Sequence, residues 1–123
     1  MTDALKLVNE FYAVTFKTKR VEEIAKLVAD DFKFEGPLQQ SNDAAGYIEI
    51  NRDLLPAHVA TRMLHQFLDG LDICSIYEID LRTPRGDILT AKMADWISVR
   101  DGKLASQSIY YDTRDFVEAF GIT

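Results

Sequence analysis

The sequence predicts an α+β fold, and three observations carry that prediction. Apolar residues recur at helical spacing through the first thirty residues and again between 44 and 55. Between 61 and 112, four segments alternate apolar and polar residues as strands do. The joints between those segments read "DG", "TPRGD" and "DG", all of which turn a chain back on itself. Hairpin-linked strands make a mostly antiparallel sheet, and the helices must cover one of its faces. A strongly curved sheet covered in this way closes into a cone, and a cone has an interior.

The elements follow in order. "DALKLVNEFYAVTF" puts Leu5, Val8, Phe11, Tyr12 and Phe16 on one helical face, with Asp3 placed to cap its start. After the polar break "KTKR", the segment "VEEIAKLVAD" (21–30) repeats the spacing at Val21, Ile24, Ala25 and Val28, a second helix. "DFKFEGP" alternates and stops at Gly36-Pro37, a short strand. "LQQSNDAAG" is a loop rich in cap formers, and the third helix, "AAGYIEINRDLL", ends before Pro56. Four strands follow: "TRMLHQFLDG", "LDICSIYEIDLRT", "GDILTAKMADWISVRDG" and "KLASQSIYYD". "TRDFVEAFG" closes the chain as a short helix, with Asp112 or Thr113 as cap and Gly121 as stop. No repeat or linker interrupts the pattern, so residues 1–123 read as one domain.

Composition narrows the function. Apolar residues make up 47% of 123, enough for a globular core and a modest pocket. The formal charge is −6 with acids and bases interspersed, so no basic stripe offers itself to nucleic acid. Cys74 has no partner for a disulfide, and one cysteine with two histidines makes a structural metal site an unfavoured expectation. The first residues lack a basic segment followed by an apolar one, and no apolar run reaches membrane-spanning length. The expectation is a cytoplasmic protein.

One strand poses a chemical question. In "LTAKMADWISV", residues 89 to 99, Leu89, Ala91, Met93, Ile97 and Val99 share a face, and Asp95 stands among them. A carboxylate leaving water must be paired, hydrogen-bonded or neutral. Trp96 falls on the opposite face with Thr90, Lys92, Ala94 and Ser98, so that face is expected to be covered.

The element order, "VADDFKFEGP" after two helices and "VRDGKLASQSIYYD" near the end resemble the nuclear-transport-factor-two-like superfamily. That group holds ketosteroid isomerase, SnoaL-type polyketide cyclases, scytalone dehydratase and limonene epoxide hydrolase. The resemblance implies a cystatin-like α+β roll: a cone-shaped, mixed, mostly antiparallel sheet wrapped by three N-terminal helices, with a short C-terminal helix. It covers nearly the whole chain, but the fold carries many chemistries.

Ketosteroid isomerase carries over most directly. Its helix-one tyrosine corresponds to Tyr12, by its distance ahead of Ala29-Asp30-Asp31, and its buried acid corresponds to Asp95. In that enzyme the two form an oxyanion hole in which the acid stays neutral. The position of its general base falls on Gly36, which has no proton acceptor. Glu35 is adjacent but points to the other face of a strand. The limonene epoxide hydrolase positions fall on Ile76, Glu78 and Ile109, of which only Glu78 is acidic.

The resemblance therefore implies a cofactor-independent isomerase, cyclase or lyase acting on a small apolar or aromatic carbonyl or enol compound, with no metal. Tyr12 and Asp95 would hold the oxygen, and Glu78 or His65 would move the proton. Glu78 serves only if the set Asp72, Cys74, Ile76, Glu78 and Asp80 lines the cone. His65 serves only if its alternation with Met63 and Phe67 turns it inward. Gln107, Ile109 and Tyr111 alternate on the last strand and, with Met93, would line the pocket. His58, after Pro56, is expected in solvated loop. A homodimer through the outer sheet face, with Trp96 at the interface, is the implied assembly. The competing reading is a binding or dimerisation module of the same fold, favoured by Gly36.

Overall fold

The computed structural model describes residues 2–121 and has the expected α+β architecture. Helix α1 (Asp3–Tyr12) is capped by the Thr2 hydroxyl, which accepts from the Leu5 amide at 3.1 Å; Asp3 sits one residue inside. The helix widens into a π-helical turn (Ala13–Thr18) that ends at Lys19 in the left-handed region. Helix α2 (Val21–Ile24) is shorter than its apolar spacing predicts. Residues 25–27 turn, and Val28 already belongs to strand β1 (Val28–Glu35). Val28 is buried in either state, so its place in the helical spacing could not distinguish the two.

A two-residue strand β2 (Gln40–Ser41) folds back onto β1, and Asp43 caps α3 (Ala44–Leu54) by accepting from the Gly46 amide at 2.8 Å. A 3₁₀ turn (Leu55–Ala57) leads directly into β3 (His58–Asp69), three residues before the expected strand start. Strands β4 (Asp72–Arg82), β5 (Ile88–Arg100) and β6 (Lys103–Tyr110) follow, and α4 (Arg114–Phe120) closes the chain. Among the described residues, no helix is long and apolar enough to cross a membrane.

The sheet is six-stranded in the order β2-β1-β6-β5-β4-β3. Among the described residues only the β1–β6 pair is parallel, so the sheet is mixed and mostly antiparallel. At the β5–β6 turn both Asp101 (φ 53°) and Gly102 (φ 74°) are left-handed, as a two-residue hairpin needs. Register shifts interrupt β1–β6, β3–β4 and β5–β6, and such bulges bend and twist a sheet into a cone.

The concave face meets α1 and α3. On β4, burial alternates strictly, with Ile73, Ser75, Tyr77, Ile79 and Leu81 inward. On β5 the inward set is Met93, Asp95, Ile97 and Val99. Phe32 of β1 is fully buried and meets Tyr47 of α3 edge-on at 4.8 Å. Truncation to Phe32→Ala should lower the unfolding free energy by ~3–5 kcal/mol in guanidinium titrations. A loss below ~1 kcal/mol would mean that α3 does not seal the core at this point.

Candidate active site

Between the concave sheet face and helices α1 and α3 lies a cavity of about 80 Å³. Most of its wall is apolar, including Phe11, Phe16, Phe34, Leu81, Met93 and Ile109. Polar groups reach it from Tyr12, Thr15, Tyr47, Asn51, Tyr77 and Gln107. Tyr111 and Phe116 stand where β6 passes into α4, and both also line an adjoining chamber of about 360 Å³ with Phe120.

Asp95 is fully buried behind this wall. Tyr12 donates its hydroxyl proton to Asp95 Oδ2 at 2.8 Å, and Tyr77 donates to the same oxygen at 3.4 Å. Gln107 Nε2 donates to both carboxylate oxygens, at 2.7 and 2.9 Å. No arginine or lysine pairs with the carboxylate among the described residues. Of the three ways to bury an acid, the structure uses the second: donors surround it.

Burial raises Asp95 above the ordinary carboxylate range, while the bonds from Gln107, Tyr12 and Tyr77 pull it back, leaving it at about 6. Burial, and then the Asp95 charge, push the phenols of Tyr12, Tyr47 and Tyr77 upward, so all three stay protonated at any working pH.

The expected residues divide into two groups. Tyr12 and Asp95 do meet, across 83 positions of sequence. They meet each other, however, and do not converge on a third point; Asp95 backs Tyr12 from outside the cavity. Met93, Gln107, Ile109 and Tyr111 line the cavity, as the alternation of β5 and β6 predicts. Glu78 and His65 do not.

The apolar set of β4 faces inward, which turns Glu78 outward, where it accepts from Arg62 Nε at 3.2 Å. Arg62 also grips Asp80 through two bonds, at 2.7 and 2.9 Å. The register of β3 shifts between Met63 and His65, so His65 pairs with Ile76 on the outer face. It is exposed there, with its ring 4.4 Å from Phe67.

Gly36 carries no base, and its surroundings are tight. A Cβ there would stand 3.1 Å from Ile109 Cγ2 and 3.3 Å from Gln39 O. His58 is not in solvated loop: it opens β3, is buried, and stacks on Phe16 at 5.0 Å. One ring nitrogen meets Thr61 Oγ1 at 2.7 Å, and burial, reinforced by Lys19, lowers its pKa. It lies in an outer groove with Lys17 and Met63, separated from the cavity by Phe16.

A family profile for the SnoaL-like domain matches residues 8–107. The chain belongs to the SnoaL-like domain family. Solved structures agree on the fold. An NTF2-like protein of unknown function from Burkholderia pseudomallei superposes with a TM-score of 0.85 at 15% identity, covering 98% of each chain. TerC, co-crystallised with polyporic acid, gives 0.82 at 18% identity over 96% of this chain and 98% of its own. A hypothetical protein with a ketosteroid isomerase-like fold from Catenulispora acidiphila, in complex with trimethylamine, gives 0.78 at 13% identity over 95% and 93%. No curated protein matches the chain.

Sequence reasoning passed over Tyr77, Tyr47, Thr15 and Asn51. Tyr77 was within reach, because it lies in the more apolar set of β4 and β4 neighbours the Asp95 strand. Thr15 faces inward because the turn is π-helical, which helical spacing does not signal.

The raised Asp95 pKa fixes a sign. The folded state binds a proton more tightly than the unfolded chain, so this contribution to stability is full below pH ~4 and is lost as pH rises through about 6. Against Asp95→Asn, the wild type should lose ~3 kcal/mol of relative stability over that window. An NMR titration of the Asp95 side-chain carbon should show a midpoint near 6. A midpoint below ~4 would mean the donors outweigh burial.

Proposed function

We propose that this chain is a cofactor-independent isomerase, cyclase or lyase acting on a small apolar compound with a carbonyl or enol oxygen. The observation that supports the reading most is the apolar cavity ending at the Tyr12 phenol, with a buried acid directly behind it. In the reaction the substrate oxygen sits against Tyr12. The phenol turns its proton from Asp95 to that oxygen as negative charge develops there, and Asp95 keeps the donors Gln107 and Tyr77. A donor fixed in a dry site stabilises such charge without reorganising solvent. Met93, Ile109 and Tyr111 shape the space for the apolar body.

Proton removal at carbon falls to a water or to the substrate's own second oxygen. The described wall of the inner cavity contains no carboxylate, imidazole or ammonium group, and the carboxylate of Asp53 borders only the adjoining chamber. That same fact favours a second reading, a ligand-binding module with no turnover. Conversion of cyclohex-3-enone to its conjugated isomer, followed in the ultraviolet, separates the two. Turnover reduced ~10²–10³-fold in Tyr12→Phe supports the enzyme. Saturable binding without turnover gives the binding module.

The partner we propose is a second copy of this chain, meeting through the convex sheet face. Phe67, Cys74 and Trp96 lie abreast on β3, β4 and β5, with Tyr110 nearby on β6. Phe67, Trp96 and Tyr110 are 57%, 48% and 58% exposed, a contiguous apolar surface of the kind that marks an interface. Light scattering should give a dimer mass for the wild type and a monomer mass for Trp96→Glu with unchanged circular dichroism. A monomeric wild type at high micromolar concentration would rule the interface out.

A further inference from the structure

Gln107 is held in one orientation. Its Nε2 donates to both oxygens of Asp95, so turning the amide over would set its oxygen against a carboxylate. The nitrogen is committed, and Oε1 necessarily diverges from Asp95. That oxygen is buried without a hydrogen-bond partner among the described residues, and the residue, 4% exposed, lines the cavity. A second buried oxygen of the same cavity, Thr15 Oγ1, is also unpartnered. Tyr12 has its proton on Asp95 in this arrangement, so its oxygen too faces the cavity as an acceptor.

The polar end of the cavity therefore sets Gln107 Oε1, which only accepts, beside the Thr15 and Tyr47 hydroxyls, which donate or accept. A buried carbonyl without a donor is destabilising, and a guest with an O–H or N–H group recovers that loss while its oxygen accepts from a hydroxyl. A plain ketone accepts from the hydroxyls but leaves Gln107 Oε1 unpaired.

We propose that Gln107 Oε1 is a specificity-determining acceptor, and that the cavity selects the enol or phenol form of a single-ring compound over its ketone counterpart. This rests on the reading that the cavity is the ligand site. The shape agrees with the class. The inner chamber of about 80 Å³ takes a polar head, and the adjoining chamber of about 360 Å³, which shares Gln39, Ile50, Leu54, Tyr111 and Phe116 with it, takes an apolar substituent.

Three probes test the proposal on the isotope-labelled wild-type chain by NMR titration: 4-ethylphenol, a locked enol; 4-ethyltoluene, its isostere without polar atoms; and 4-ethylcyclohexanone, which only accepts. The expected result is 4-ethylphenol binding ~10-fold or more tightly than either of the others, with displacement of the Gln107 side-chain amide resonances. Gln107→Met should bring the phenol-to-toluene affinity ratio to within about twofold of one. Should that variant fail to fold, the comparison rests on the wild type, where the phenol must move the Gln107 resonances more than the toluene does. Equal affinities, or a ketone that binds best, would overturn the role of Gln107 while leaving the cavity as the site. No binding by any probe would overturn both readings.

Discussion

The structure is organised around one buried carboxylate that has no cation. Asp95 joins four elements at a point: Tyr12 from α1, Tyr77 from β4, its own strand β5, and Gln107 from β6. A charge in such a place must be met by donors, and each donor is then fixed in its rotamer. An apolar residue of similar volume at that position would strand the Tyr12, Tyr77 and Gln107 donors, each at a cost of ~1–3 kcal/mol. It would not orient Tyr12 or prevent the Gln107 amide from flipping. The acid thus holds the cavity wall in one arrangement. A second polar pin reinforces this frame: Gln66 of β3 donates to Asn9 of α1 at 2.9 Å and to Ser75 of β4 at 3.1 Å.

Curvature supplies the space that this network borders. The bulges in β1, β3 and β6 bend the sheet around α1 and α3, and just past β1 a Cβ on Gly36 would press against Ile109 at 3.1 Å. The position where a carboxylate base would stand is thus a glycine in tight surroundings. Phe34 and Ile109 line that side of the cavity instead. The site is thus strong in proton donors and acceptors at one pole and apolar elsewhere, and the enolic guests proposed above bring an acidity of their own that lowers the demand for a base.

How much of this was legible depends on how each signal is encoded. The inward face of β5 could be read from alternation alone, because one acid among Met93, Ile97 and Val99 stands out. Gln107, Ile109 and Tyr111 could be read in the same way. Glu78 could not, since both faces of β4 mix isoleucine with polar residues and only the pairing with β5 decides between them. His65 failed for a sharper reason: one extra residue in β3 reverses every alternation beyond it. His58 was hidden because a 3₁₀ turn at Pro56 feeds straight into a strand, where the proline suggests loop. None of these is a matter of residue propensity; each depends on contacts between segments far apart in sequence.

The polarity of the site, finally, is set by the state of an acid that no guest touches. The sequence suggested two donors aimed at one oxygen. With Asp95 ionised, Tyr12 and Gln107 instead turn their protons toward the carboxylate and leave oxygens facing the cavity. With Asp95 protonated, one hydrogen bond of the network must reverse; the Gln107 nitrogen can only donate, so the bond that reverses is that of Tyr12 or Tyr77, and both phenols line the cavity. The two states interconvert near pH 6 because burial outweighs the three donors. A guest that gains negative charge on its oxygen draws the Tyr12 proton outward in the same sense. In the function proposed above, the hidden acid lets a single phenol accept from an enol and donate to an enolate along one reaction coordinate.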